Sequence, residues 1–189
     1  KMNIDIKDII NEHILTANNL LDDSELIEEI SSIVIDTLKT GNTIFLCGNG
    51  GSASDSIHIA AEIVGKFNSD NRKSLPAISL ASNQSNITSI GNDFGFNSIF
   101  SRQLEGLGKS KDLLIALSTS GNSENVINAL KSAEKLNIKR IGLTGLDGGK
   151  MLNHCDLILK VSSNNTARIQ EMHIMIGHII CQLIDNSFN

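Results

Sequence analysis

The chain has 189 residues, of which 40% are hydrophobic and 20% charged, and its formal net charge is −5. That length suits one domain able to bury a substantial core. The acidic balance and the absence of Trp and Tyr argue against nucleic acid, which is held by basic patches and aromatic stacking. No apolar run approaches the length of a membrane span. Three cysteines without a C-x-x-C pair, and no signal peptide, predict a reducing cytoplasm.

In chain order, residues 4–21 place Ile6, Ile9, Ile10, Ile14, Leu15 and Leu20 at mostly helical spacing. This predicts a helix that packs on something outside the central sheet, such as a second subunit. Asp22 and Glu25 have the spacing of a capping box, and a second helix is predicted to follow as far as Leu38, ending at Gly41-Asn42. Apolar runs then recur at residues 44–47, 76–80, 113–117, 141–144 and 157–161, separated by helix-like stretches. This is the pattern of βαβ units. The expected fold is α/β, a three-layer αβα sandwich on a five-stranded parallel sheet, with residues 1–40 as N-terminal helices and residues 41–189 as the core. The single proline, Pro76, falls at a strand start, where its missing N–H is tolerated. The last predicted helix covers residues 166–183.

Two of the βα junctions carry chemistry. Residues 43–67 read as strand, glycine-rich turn (Gly48-Asn49-Gly50-Gly51-Ser52) and helix, so backbone N–H groups and a helix N-terminus face whatever lies above the strand. The same helix places His58 and Glu62 four residues apart on one face. Residues 113–129 run from an apolar strand into Ser118-Thr119-Ser120-Gly121-Asn122-Ser123 and then a helix. One serine there would merely cap the helix, whereas four hydroxyls in six residues make a phosphate cradle. Neither a P-loop nor a complete G-x-G-x-x-G is present, which favours a sugar monophosphate over a nucleotide. Both loops leave the carboxyl ends of strands and so should face one crevice. A third loop, residues 90–95, is read as a Gly/Asn/Asp turn carrying Asn92 and Asp93.

With STSGNS, CGNGGSAS, GNDFGF, FSRQLEGLG, LTGLDGGKM and TARIQEMHIMIGH in hand, the chain resembles the sugar isomerase (SIS) domain family, and within it the phosphoheptose group. The resemblance runs from about Leu38 to Leu183. It implies that Asn49, Gly50, Gly51, Asn92 and Asp93 contact the sugar and that Ser118, Thr119, Ser120 and Ser123 hold its phosphate. It also implies that His58, Glu62, Gln170 and His178 bind a zinc ion (Zn2+), with Glu62 and Gln170 also touching substrate and Glu62 and His178 forming the acid/base pair. The implied activity is ketose–aldose isomerisation of sedoheptulose 7-phosphate in a cytoplasmic homotetramer whose active sites lie between subunits.

Such chemistry moves a proton between adjacent carbons through an enediol(ate), which one carboxylate and one imidazole can serve. A carboxylate tied to zinc is a poorer base, so the two roles of Glu62 conflict. Gln170 and His178 are eight helical residues apart, about 12 Å along the axis, which strains their reach to one ion. His173 reads as a core or interface histidine, and Arg168 as a partner for substrate or for a neighbouring carboxylate. Ser54, Ser56 and the Asn164-Asn165-Thr166-Ala167 loop depart from the family's usual residues and are candidates for tuning sugar specificity. Two other readings stay open. One is a non-catalytic SIS tetramer that binds a replication initiator protein and has no need of Glu62 and His178; the other is a hexose-phosphate isomerase or sensor.

Overall fold

The structure is a computed structural model that describes residues 5–189, so Ile4, the expected first helical residue, lies outside the described residues. Helix α1 (Ile6–Asn19) is capped by the Asp5 side chain, which accepts from the Lys7 N–H. A 3-10 turn at Leu20–Asp23 joins it to α2 (Ser24–Lys39). The expected capping box does not form: no side chain caps α2, because the 3-10 turn runs directly into the helix and the Ser24 N–H is taken by the Leu21 carbonyl.

The remaining elements alternate as the sequence predicts. They are β1 (Ile44–Cys47), α3 (Gly51–Val64), β2 (Ala77–Ser79), α4 (Gln84–Phe94), α5 (Ser101–Leu107), β3 (Leu113–Ser118), α6 (Glu124–Lys135), β4 (Lys139–Thr144), β5 (Leu157–Lys160) and α7 (Thr166–Phe188). All strands are parallel, in the order β2-β1-β3-β4-β5. Strand β2 is the short edge strand that Pro76 leads into, and α7 runs five residues past its expected end. Residues 90–95 differ from expectation. Asn92 and Asp93 lie in the last turn of α4 rather than in a loop, and the chain turns only at Gly95, where φ is 85°.

Side-chain alternation along the strands splits the interior into two layers. Ile44, Leu46, Leu113, Ile115 and Leu117 pack under α2, α3 and α7. Phe45, Cys47, Leu114 and Ala116 pack under α5 and α6. Among the described residues no helix is long and apolar enough to cross a membrane.

Helix α1 sits outside both layers. Arg168 donates to its Ile9 carbonyl and His13 meets Glu171 at 2.7 Å. Arg168 also pairs with Glu171 and stands 3.8 Å from Glu12, which makes it a tether for α1. Only Thr16 of this helix is buried.

At the far end of α3 the Arg72 guanidinium donates to the carbonyls of Glu62, Ile63 and Gly65, capping the helix C-terminus, and pairs with Asp185 of α7 at 2.6 Å. Both side chains are sealed from solvent. Burial alone would raise the Asp185 carboxyl, but the N–H groups of Asn68 and Ser69 and the Arg72 guanidinium outweigh it and hold it below the usual aspartate range. Asp185→Asn would leave the guanidinium buried without its counter-charge and should cost about 3–5 kcal/mol, read as a lower urea midpoint at pH 7. Because the folded pKa lies below the unfolded one, near 3.9, the pair's contribution is full above that value and lost as pH falls through the folded value. The wild-type midpoint should therefore drop across that acid window more than the variant's does. Equal midpoints at pH 7 would refute the assignment.

Candidate functional site

In this arrangement the strand order reverses between β1 and β3, which opens a crevice beyond their carboxyl ends. The two glycine- and serine-rich loops read from the sequence flank that crevice. The turn after β1 carries Asn49 and Gly50, the latter with φ 57°, into α3. At the first residue of α3 a Cβ on Gly51 would lie 2.7 Å from the Gln170 carboxamide, so any side chain there would push that amide aside. The amide of Gln170 therefore stands directly against the turn predicted to hold the sugar.

On the other side, β3 ends in Ser118, whose hydroxyl is 3.1 Å from that of Ser123, just before α6. The Asn122 N–H donates to the Ser120 hydroxyl and the Lys150 N–H to Asn122 Oδ1. Gly121, with φ 63°, lets the loop press against Gly148, whose carbonyl a Cβ there would meet at 2.1 Å. This contact packs the LDGGK segment against the STSGNS loop. Thr119, Ser120 and Asn122 line a cavity of about 240 Å3 with Asp147, Ser163, Asn164 and Thr166. It sits beside the N-termini of α6 and α7, the positive ends of two helix dipoles. The described residues that line it include no lysine or arginine, so an anion held here relies on hydroxyls, backbone N–H groups and dipoles.

Helices α3 and α7 run side by side in the same direction: Gly51 faces Gln170, Ile59 packs on Gly177, and His58 meets His178. His58 Nε2 lies 3.2 Å from Glu62 Oε1 and 3.4 Å from His178 Nε2, with the imidazoles edge to face and Phe67 against the His178 ring. Three of the four residues named as metal ligands thus meet, while Gln170 is anchored at Gly51, eight residues from His178. Among the described residues no group of three or more His, Cys, Asp or Glu is arranged so that it could hold a metal ion. The Cys181 thiol is pushed up to about 12 by burial and then by the charges of Glu62 and Asp185, so it stays protonated.

The other expectations fall in several places. Asn92 and Asp93 are exposed on α4, the Asn92 amide donating to Asp93. Ser56 is fully buried and bonded to Ala53 and Ser79, so it ties α3 to β2 and cannot contact sugar. Asn165 caps α7 and Asn164 lines the cavity. His173 is buried against the Thr144 carbonyl, and burial lowers its pKa to about 4.

Sequence reasoning passed over three polar residues. Asp147 lines the cavity. Asp55 continues the Gly51–His58–Glu62 stripe and has a buried carboxylate oxygen without a partner, its pKa raised by burial against the lowering effect of His58. Asn125, at 2% exposure, bonds Asn49 across the crevice. Helical spacing could have found Asp55, but no spacing could pair residues 49 and 125.

The SIS domain profile matches residues 13–145. A protein of Aliarcobacter butzleri named phosphoheptose isomerase is 56% identical over 165 residues, covering 87% of each chain. One of the same name from Clostridium acetobutylicum is 52% identical over 179 residues, covering 93% of this chain and 91% of the relative. The solved phosphoheptose isomerase of Neisseria gonorrhoeae superposes with a TM-score of 0.90 at 38% identity, covering 96% of this chain and 97% of that one. The chain belongs to the SIS domain family, in the group whose named members are phosphoheptose isomerases.

Proposed function

We propose that this chain is a phosphoheptose isomerase, converting sedoheptulose 7-phosphate to D-glycero-D-manno-heptose 7-phosphate in the cytoplasm, the first step toward heptose for surface polysaccharide. The observation that carries the reading is 56% identity over 87% of both chains to a protein of that name, supported by a hydroxyl-rich loop before α6 and an imidazole–carboxylate pair on α3.

In this reading the hydroxyls of Ser118, Thr119, Ser120 and Ser123 hold the phosphate. Asn49, Gly50, Gly51 and Gln170 hold the sugar chain, joined by Asn92 and Asp93. Glu62 takes the proton from C1 of the ketose and returns it at C2 of the enediol(ate), while His178 moves the proton between the two oxygens, so that the C2 carbonyl becomes a hydroxyl and the C1 hydroxyl a carbonyl. Glu62 is partly shielded, with 26% of its side chain exposed, which suits a base that must still meet a ligand.

His58 Nε2 stands 3.2 Å from Glu62 Oε1 and 3.4 Å from His178 Nε2, which brings three nitrogen and oxygen donors of the kinds zinc takes to one place. A zinc ion held by His58, Glu62 and His178, with Gln170 as the expected fourth donor, would polarise the substrate carbonyl.

A homotetramer is supported by what the chain leaves uncovered. Ile6, Ile10 and Leu15 of α1 are 72%, 52% and 63% exposed. Leu21, Met175 and Ile179 line an open groove of about 280 Å3 among α1, α2 and α7. Apolar surface of this extent marks an interface.

Purified protein should turn over sedoheptulose 7-phosphate and not fructose 6-phosphate in a coupled assay; turnover of neither would make it a binding protein. Glu62→Gln should remove turnover, by about three orders of magnitude or more for loss of a general base, while phosphosugar binding stays measurable by calorimetry; retained activity would refute the role. Protein purified without a chelating tag should show a tetramer mass in light scattering and carry zinc that His58→Ala loses. A monomer mass, or full activity in zinc-free protein, would overturn the corresponding part.

A further inference from the structure

Two carboxamides close a ring across the crevice between β1 and β3. Asn49 Nδ2 donates to Asn125 Oδ1 at 2.8 Å, and Asn125 Nδ2 donates back to Asn49 Oδ1 at 2.9 Å. The orientation of this pair is fixed from one side. Asn125 Oδ1 also accepts the Val126 backbone N–H at 2.9 Å, which requires that edge to be the oxygen and turns the NH2 edge toward Asn49. Asn49 must then present its own oxygen to Asn125, so its amide cannot flip without losing both bonds.

A carboxamide has two N–H donors and two acceptor lone pairs. After pairing, Asn49 keeps one N–H and one lone pair. Asn49 is only half-buried, whereas Asn125 is sealed, so the free donor and acceptor are on the residue that a ligand can reach. The two lie on opposite edges of the carboxamide plane, since the edge shared by oxygen and NH2 is taken by Asn125, so each can meet a separate hydroxyl of a sugar chain. The pair also ties the turn after β1 to the second residue of α6, directly behind Ser123, and so sets the distance between the sugar-binding turn and the serine loop.

We propose that Asn125 is a positioning residue for the isomerisation: it does not touch substrate, and it orients the Asn49 carboxamide toward the hydroxyls of the sugar chain while fixing that turn against the phosphate loop. This rests on the reading of Asn49 as a sugar contact in a phosphoheptose isomerase.

The test is a double-mutant cycle on kcat/KM for sedoheptulose 7-phosphate with Asn125→Ala, Asn49→Ala and the double variant, accompanied by the inhibition constant of inorganic phosphate and the urea midpoint. Asn125→Ala should lower kcat/KM about tenfold or more, as expected for one misplaced hydrogen-bonding group, and leave phosphate inhibition within about twofold of wild type. The double variant should be no worse than Asn49→Ala alone, since Asn125 acts only through Asn49. Asn125→Asp, which keeps the shape and the Val126 bond but sets an oxygen against Asn49 Oδ1, should show the same non-additivity and serves if the alanine variant folds poorly. Losses that add in the cycle, an Asn125→Ala enzyme with unchanged kcat/KM, or phosphate inhibition weakened as much as sugar turnover would each overturn the proposal. Wild-type protein without turnover would overturn the isomerase reading beneath it, an outcome distinct from an additive cycle in an active enzyme.

Discussion

The register between α3 and α7 depends on the buried pair of Arg72 and Asp185. Removing two charges from water costs several kcal/mol per ion, so the pair persists only because nearly every donor and acceptor on it is used. Arg72 spends its guanidinium on three carbonyls at the end of α3 and on Asp185, while Asp185 accepts from Asn68 and Ser69 as well. A slip of α7 by one helical turn, about 5.4 Å, would break at once the bonds that Asp185 accepts from Arg72, Asn68 and Ser69. The same register sets His58 against His178 and Gly51 against Gln170. The geometry of the candidate site is therefore imposed from its far end, by groups with no chemistry of their own.

The proposed phosphate cradle lacks a nearby cation among its described lining residues and has Asp147 beside it. A lysine would attract any anion without regard to its shape. Hydroxyls, backbone N–H groups and helix termini attract only an anion whose oxygens fall where the donors point. The cost is a weaker long-range field, in keeping with the acidic chain. The benefit is that position, once gained, is well defined, and an isomerase needs its reacting carbons placed to within a fraction of an ångström.

Much of this was legible in the sequence because it is local. Apolar runs separated by helical stretches gave the parallel sheet, and the loops around Asn49 and Ser118 stood out by composition alone. His58 and Glu62 share a face because of helical spacing. The misses are of other kinds. The capping box expected at Asp22 does not form because Asp22 sits inside a 3-10 turn that runs straight into α2, so Asp22 is not at a helix start, which local pattern does not forbid. Asn92 and Asp93 were assigned to a turn because Gly, Asn and Asp favour turns, yet α4 continues through them and the break waits for Gly95. Ser56 is a candidate specificity residue because it departs from the family's usual residue, but its helix face turns it toward β2. Asn125 and Asp55 could be weighed only once the two loops and the two helices stood side by side, because their meaning lies in partners found or missing in space.

The separation between the cradle and the imidazole–carboxylate group bears on substrate length. His58 lies seven helical residues beyond Gly51, about 10 Å down the axis, whereas the serine loop stands at the crevice above. A ligand that engages both must carry its phosphate and its reacting carbons at opposite ends of an extended chain. In a heptose 7-phosphate five carbons separate C1 from the phosphate-bearing C7, and in a hexose 6-phosphate only four. A rigid α3, its C-terminal end capped by Arg72, cannot shorten to follow the smaller sugar. Discrimination by length then needs no pocket that rejects the hexose. On the proposed reading, a hexose phosphate seated in the cradle would leave its C1–C2 bond short of Glu62 and be bound without being turned over.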